Sequence, residues 1–184
     1  MLAQIATFLV NTLVTFFVVL LLARFHLQWL RVPFRNPVGE FLIATTNWMV
    51  MPVRRVVPPL AGLDTATFLL AWLLEFAGLW LLAAIAGIPL TVLGAIALAL
   101  VELLRFSLYI LVFAIVMQVV FSWVNPSAPL APVFDAIARP FLRPLRRFIP
   151  PIGRVDLTPA VLFIFLQLVL EFVLPYLKAM AALL

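Results

Sequence analysis

Four long apolar stretches, separated by short polar or proline-rich connections, limit what this chain can become. They run from about Leu2 to Ala23, Thr65 to Ala86, Leu90 to Val124 and Leu157 to Tyr176. Each is close to or above the ~20 residues a helix needs to cross a hydrocarbon core about 30 Å thick. Inside lipid every backbone amide and carbonyl has to be satisfied within the protein, so only helices or a closed barrel qualify. Barrel strands alternate apolar and polar residues; these runs do not, and helices follow. Only 10% of the residues are charged, against ~25% in a soluble domain. The expected fold class is an all-α integral membrane protein. Met1 to Ile5 carry no positive charge, and the apolar run outlasts the ~7–15 residues of a signal-peptide core, so the first stretch reads as an uncleaved span.

One segment occurs twice. Pro52-Val53-Arg54-Arg55-Val56-Val57-Pro58-Pro59, closing on Asp64, is matched without a gap 92 positions later by Pro144-Leu145-Arg146-Arg147-Phe148-Ile149-Pro150-Pro151, closing on Asp156. Each copy follows an apolar run and an Asn-Pro pair, Asn36-Pro37 or Asn125-Pro126. The reading is a tandem duplication of a helical hairpin giving four transmembrane helices. Residues 1–89 form the first repeat and residues 90–184 the second. Within each repeat a short amphipathic helix is expected at the membrane interface: one starts at Asn36-Pro37 and ends at Pro52, the other spans about Ala131 to Leu142. The stretch from Leu90 to Val124 amounts to about 50 Å of helix. It is read as an interfacial or re-entrant piece to Val101, then a third span from Glu102 to Trp123.

Ten of the 12 Lys/Arg residues cluster in two places, Arg24 to Arg55 and Arg139 to Arg154. Four spans put both clusters on one side, and the positive-inside rule makes that side cytoplasmic with both termini outside. The net charge of +5 is explained by this placement. The arginines lack the interleaved stacking aromatics of a nucleic-acid surface, so no direct nucleic-acid partner is expected.

The candidate residues follow from position. Arg54, Arg55, Arg143, Arg146, Arg147 and Arg154 fit two roles: topology and anchoring to anionic lipid head groups, or docking of an acidic partner. Pro58-Pro59 and Pro150-Pro151 favour stiff extended paths. Asp64 and Asp156 stand where the next helices begin and read as caps. Glu75 lies near mid-bilayer, with Gln167 at the matching position of the last span. The two are candidates either for an interhelical hydrogen bond or for a protonation or ion-pathway site. Asn11 and Gln118 read as hydrogen-bonding between helices, and Gln118 joins Glu75 and Gln167 as a candidate intramembrane polar site. Glu102 and Arg105 can pair on one helix face, and Glu171 can either reach outward or pair with Lys178. Ala77-Gly78 and Ala83-Gly87 permit close helix contact. There is no cysteine, and His26 alone builds no metal site. Neither a cofactor motif nor a paired catalytic constellation appears.

Ser122-Trp123-Val124-Asn125-Pro126, followed by Pro144 through Pro159, resembles the YggT family, also called YlmG. The resemblance spans nearly the whole chain. The first copy departs from it: Gln28-Trp29-Leu30 replaces Ser-Trp-Val, Thr67 stands where Pro159 does, and Gln118 aligns with Arg24. The resemblance implies a small multi-pass protein of the bacterial inner membrane. Its plastid relatives are associated with nucleoid distribution and cytochrome-complex assembly, and its bacterial relatives with division and osmotic or ion tolerance. The expected function is non-enzymatic: organising or assembling membrane complexes through basic cytoplasmic loops. The alternative is a small ion transporter or channel with a midplane polar site. Expected partners are anionic lipid and either other membrane proteins or a second copy of the chain.

Overall fold

The computed structural model describes residues 1–60, 62–150 and 156–184. Helices dominate it: α1 (Leu2–Trp29), α2 (Pro37–Val56), α3 (Thr65–Ala86), α4 (Val92–Val124), α5 (Ala131–Leu145), α6 (Thr158–Leu168), a π-helical turn (Val169–Val173) and α7 (Leu174–Ala182). No strand forms among the described residues; Leu60 and Leu63 make an isolated bridge. Four segments are long and apolar enough to cross a membrane: Leu2–Trp29, Thr65–Ala86, Val92–Val124 and Thr158–Ala182.

Local chemistry sets most of the boundaries. Asn36 caps α2, its side chain accepting from the Gly39 amide at 2.9 Å, and Pro37 supplies a preset first turn. Asp64 caps α3, and Gly87 ends it in the left-handed region at φ 67°. Thr91 starts α4 by accepting from the Gly94 amide at 3.0 Å.

Three expected boundaries move. Pro52 does not end α2, which continues to Val56 with the proline inside it. A proline removes one helical hydrogen bond, but Thr46 and Val50 are buried just before it and Arg54 is tied to Asp64 just after it. The segment is therefore held on both sides. Likewise α5 carries Pro140 and Pro144 internally and reaches Leu145. Finally, the separate piece expected from Leu90 to Val101 is absent. Val92–Val124 is one helix of 33 residues. Neither glycine nor proline occurs between Ala95 and Val124 to break it, and the charges at Glu102 and Arg105 neutralise each other along the helix. The last span is the one whose regular helix is interrupted: the π-helical turn Val169–Val173 separates α6 from α7, and Pro175 in the first turn of α7 has no amide to give the preceding turn.

Gly78 brings α1 and α3 together, since a Cβ there would lie 2.7 Å from Val14 Cγ1. Gly87 faces open space. Val18, Leu21, Leu22, Val50, Ala71, Leu103 and Phe106 join α1 to α4 in one apolar cluster. A second cluster adds α5 and α6 through Leu111, Ile115, Val133, Ile137, Leu142 and Leu162. Helices α2 and α5 approach the same region, lining a largely apolar cavity of about 580 Å³ with the later halves of α1 and the middle of α4. The two helices that follow the Asn-Pro pairs thus line one common region of the bundle.

Candidate functional site

In that region a chain of polar contacts ties the first hairpin together. Arg24 lies on the inner face of α1 and is only 4% exposed. Its Nη1 donates to Thr46 Oγ1 at 2.8 Å and its Nη2 to Asn47 Oδ1 at 3.2 Å, fastening α2 to α1. Thr46 in turn donates to the Leu42 carbonyl at 2.6 Å. One turn further along α1, Gln28 Oε1 accepts from Arg54 Nη2 at 3.1 Å. Arg54 then forms an ion pair with Asp64 across the Pro58-Pro59 bend. Asp64 also accepts from the Thr67 amide and hydroxyl.

The second copy repeats the ion pair. Arg146 Nε lies 2.9 Å from Asp156 Oδ2, and Asp156 Oδ1 accepts from the Thr158 amide at 2.9 Å and its hydroxyl at 2.6 Å. Both aspartates therefore bond the first turn of the following helix and also bind an arginine ten residues back. The environments differ. The Asp64 side chain is 3% exposed and that of Asp156 36%. Burial pushes the Asp64 carboxyl up, but hydrogen bonds from Arg54 and Thr67 outweigh it and hold the group below the ordinary aspartate range. Asp156 is also lowered, burial being outweighed by its bonds to Thr158 and Arg146.

The six arginines singled out by position divide accordingly. Arg54 and Arg146 are ion-paired to aspartates of the same chain, Arg146 staying 43% exposed, whereas Arg55, Arg143 and Arg147 are exposed and make no ion pair among the described residues. Arg31 and Arg35, in the connection after α1, are likewise exposed and unpaired among the described residues. Arg139 pairs with Asp135 one turn back on α5. Arg154 and Pro151 lie outside the described residues. By position Arg24 reads only as the first member of a basic cluster, yet it is buried. Its signal in the sequence was the pair of polar residues Thr46-Asn47, at the right distance along α2 to receive a fork of two donors.

A second polar group sits between α3, α4 and α7. Glu102, 8% exposed, takes ion pairs from Arg105 on its own helix and from Lys178 on α7. Glu75 of α3, 6% exposed, lies close enough to feel the charges of Glu102, Arg105 and Lys178, and its Oε2 has no hydrogen-bond partner among the described residues. Lys178 thus serves Glu102 rather than Glu171, which is exposed. Gln118 and Gln167 lie apart from this group. Gln118 is on α4 about 24 Å beyond Glu102, with its Oε1 buried and unpartnered. Gln167 is half-buried, and no hydrogen bond joins it to Glu75 among the described residues. Asn11, expected to bond between helices, is exposed and makes no such bond among the described residues. No group of three or more His, Cys, Asp or Glu side chains able to hold a metal occurs among the described residues.

Four membrane-length apolar helices define a multi-pass membrane protein. The chain belongs to the CCB3/YggT family, whose family model matches residues 3–85 and again residues 97–177. It is 31% identical over 165 residues to the uncharacterised protein YggT of Escherichia coli K12, covering 89% of this chain and 86% of that one. An uncharacterised protein of Vibrio alginolyticus is 32% identical over 165 residues, with 88% and 89% covered. One of Pseudomonas aeruginosa is 29% identical over 179 residues, with 95% and 91% covered. No solved structure matches the chain.

Proposed function

We propose that this is a non-enzymatic protein of the bacterial inner membrane that organises or assembles membrane complexes through a basic cytoplasmic face. In this reading the two hairpins descend from one duplicated unit, α2 and α5 lie at the cytoplasmic interface, and both termini are outside. The 92-residue repeat of the Arg–Asp pairs and the twofold family match support the duplication. The positive-inside rule supports the sidedness.

One observation carries the functional reading. Each proline loop commits one arginine to an aspartate of the same chain and leaves its neighbour, Arg55 or Arg147, exposed and unpaired among the described residues, as are Arg31, Arg35 and Arg143. Basic groups held on a rigid frame suit an anionic surface, at about 1 kcal/mol each. They equally suit an acidic segment of a partner protein. The test is quantitative purification in mild detergent of the wild type and of the Arg55→Ala/Arg147→Ala variant. A defined set of co-purifying membrane proteins, lost in the variant while reporter fusions keep the same topology, supports the role. Equal recovery by both proteins overturns it.

The Glu75–Glu102–Arg105–Lys178 group favours a second reading, a small ion transporter or channel, because charged side chains within spans commonly mark ion paths. Reconstitution decides between the two. Ion flux in proteoliposomes, abolished by Glu75→Gln, supports transport; vesicles as tight as protein-free ones exclude it.

A further inference from the structure

The first half of α1 presents a polar stripe to its surroundings. Gln4, Thr7 and Asn11 are spaced three and four residues apart, so they share one face of the helix. All three are exposed, and none makes a side-chain hydrogen bond among the described residues. Asn11 lies about 13 Å along the helix from Leu2, within the hydrocarbon region if the span begins there. A carboxamide open to lipid at that depth forfeits its hydrogen bonds, whereas the same group between helices acts as an adhesive.

The stripe also continues an interface already in use. Val18 and Leu22 lie seven and eleven residues beyond Asn11, on the same face, and both are fully buried in the bundle. Thr15, between Asn11 and Val18, lines the apolar cavity. Beyond Asn11 toward Leu2 the bundle's own helices no longer cover this face, and there it turns polar. The opposite face carries Leu9 and Leu13, which are exposed and apolar as lipid contact requires.

We infer that the uncovered stripe receives a second copy of this chain, packing α1 against α1 about a twofold axis along the membrane normal. The chemistry selects that occupant. The stripe contains no charge that would call for an oppositely charged partner, and each carboxamide both donates and accepts, so it complements itself. In a parallel symmetric pair, equivalent positions meet, and Asn11 of one protomer reaches the partner's Asn11. This contact is independent of whether the basic face organises complexes.

The absence of native cysteine makes the test clean. Single variants Thr7→Cys and Leu9→Cys, in the full-length protein in membranes, are oxidised and separated by denaturing electrophoresis. A disulfide-linked species at twice the 20.6 kDa chain mass is expected for Thr7→Cys and not for Leu9→Cys, which is equally exposed but on the other face. Adding Asn11→Leu to Thr7→Cys should lower the yield about threefold or more, the worth of an intramembrane hydrogen bond, while detergent thermostability stays unchanged. Equal yields at positions 7 and 9, no linked species at either, or an adduct of another mass each overturn the inference.

Discussion

Arg54 and Asp64 clasp each other across the Pro58-Pro59 bend, ten residues apart, and the same clasp recurs 92 positions later between Arg146 and Asp156. The proline loops are therefore closed by ion pairs that also prepare the next helix. The aspartate of the first clasp is nearly sealed from solvent, whereas that of the second is 36% exposed. The two copies should differ in worth.

Asp64→Ala removes a helix cap and a largely buried partner of Arg54, and should destabilise the detergent-solubilised protein by about 2–3 kcal/mol. Asp156→Ala, in the more exposed pair, should cost only about 1 kcal/mol. Reversible unfolding in a denaturing detergent measures both; equal losses would contradict the difference in burial.

The Asp64 clasp should also weaken in acid. An unfolded aspartate titrates near ~3.9, and folded Asp64 titrates lower because its bonds to Arg54 and Thr67 outweigh burial. A depressed folded value contributes full stability above the unfolded value, and that contribution disappears as pH falls through the folded one. The melting-temperature gap between wild type and Asp64→Asn should therefore hold from pH 7 to about pH 5 and close below about pH 4. A gap that widens in acid would reverse the sign.

Glu102 joins α4 to α7 and balances two cations. Glu102→Gln leaves Arg105 and Lys178 facing each other with little compensation and should cost about 3 kcal/mol. Lys178→Met, which keeps the Arg105–Glu102 pair, should cost less. The order of the two melting temperatures checks this, since a loss confined to Lys178→Met would show that Glu102 is not the hub.

Gly78 and Val14 set the closest approach of α1 and α3. A methyl group at Gly78 collides with both Val14 branches, at 2.7 and 3.0 Å. Gly78→Ala should therefore cost about 1–3 kcal/mol. Trimming the other side with Val14→Ala should recover part of the loss in a double-mutant cycle; strictly additive effects would place the two residues apart.

Arg24→Lys tests the fork on Thr46 and Asn47. An ammonium delivers its donors from one point and does not span both acceptors as a guanidinium does. A loss of about 1–2 kcal/mol is expected, read as easier proteolysis of the connection between α1 and α3. Proteolysis at the wild-type rate would leave the fork without consequence.

Much of this architecture was written in the order of residues. The bounds of α3 from Thr65 to Ala86 follow from Asp64 before it and Gly87 after it, both local signals. The Glu102–Arg105 pair follows from helical spacing alone. The polar sites were less legible. Glu75 and Gln167 hold matching positions along the chain, yet Glu75 lies by Glu102 and Lys178, because α7 packs antiparallel to α4 and brings Ala181 to Gly94. Position along a helix fixes height, and only packing fixes which neighbour stands at that height.

The sequence by itself determined that the chain is a bundle of membrane-length helices, since apolar runs in lipid have no other way to satisfy their backbones. It also determined where two basic, proline-stiffened bends must fall. Only the tertiary structure decided that α4 runs unbroken, that Arg24 turns inward, and that one arginine of each pair is spent on an aspartate while the other stays outside. Those outcomes depend on contacts between residues far apart in the chain, whose energies are set by burial and mutual geometry rather than by local pattern.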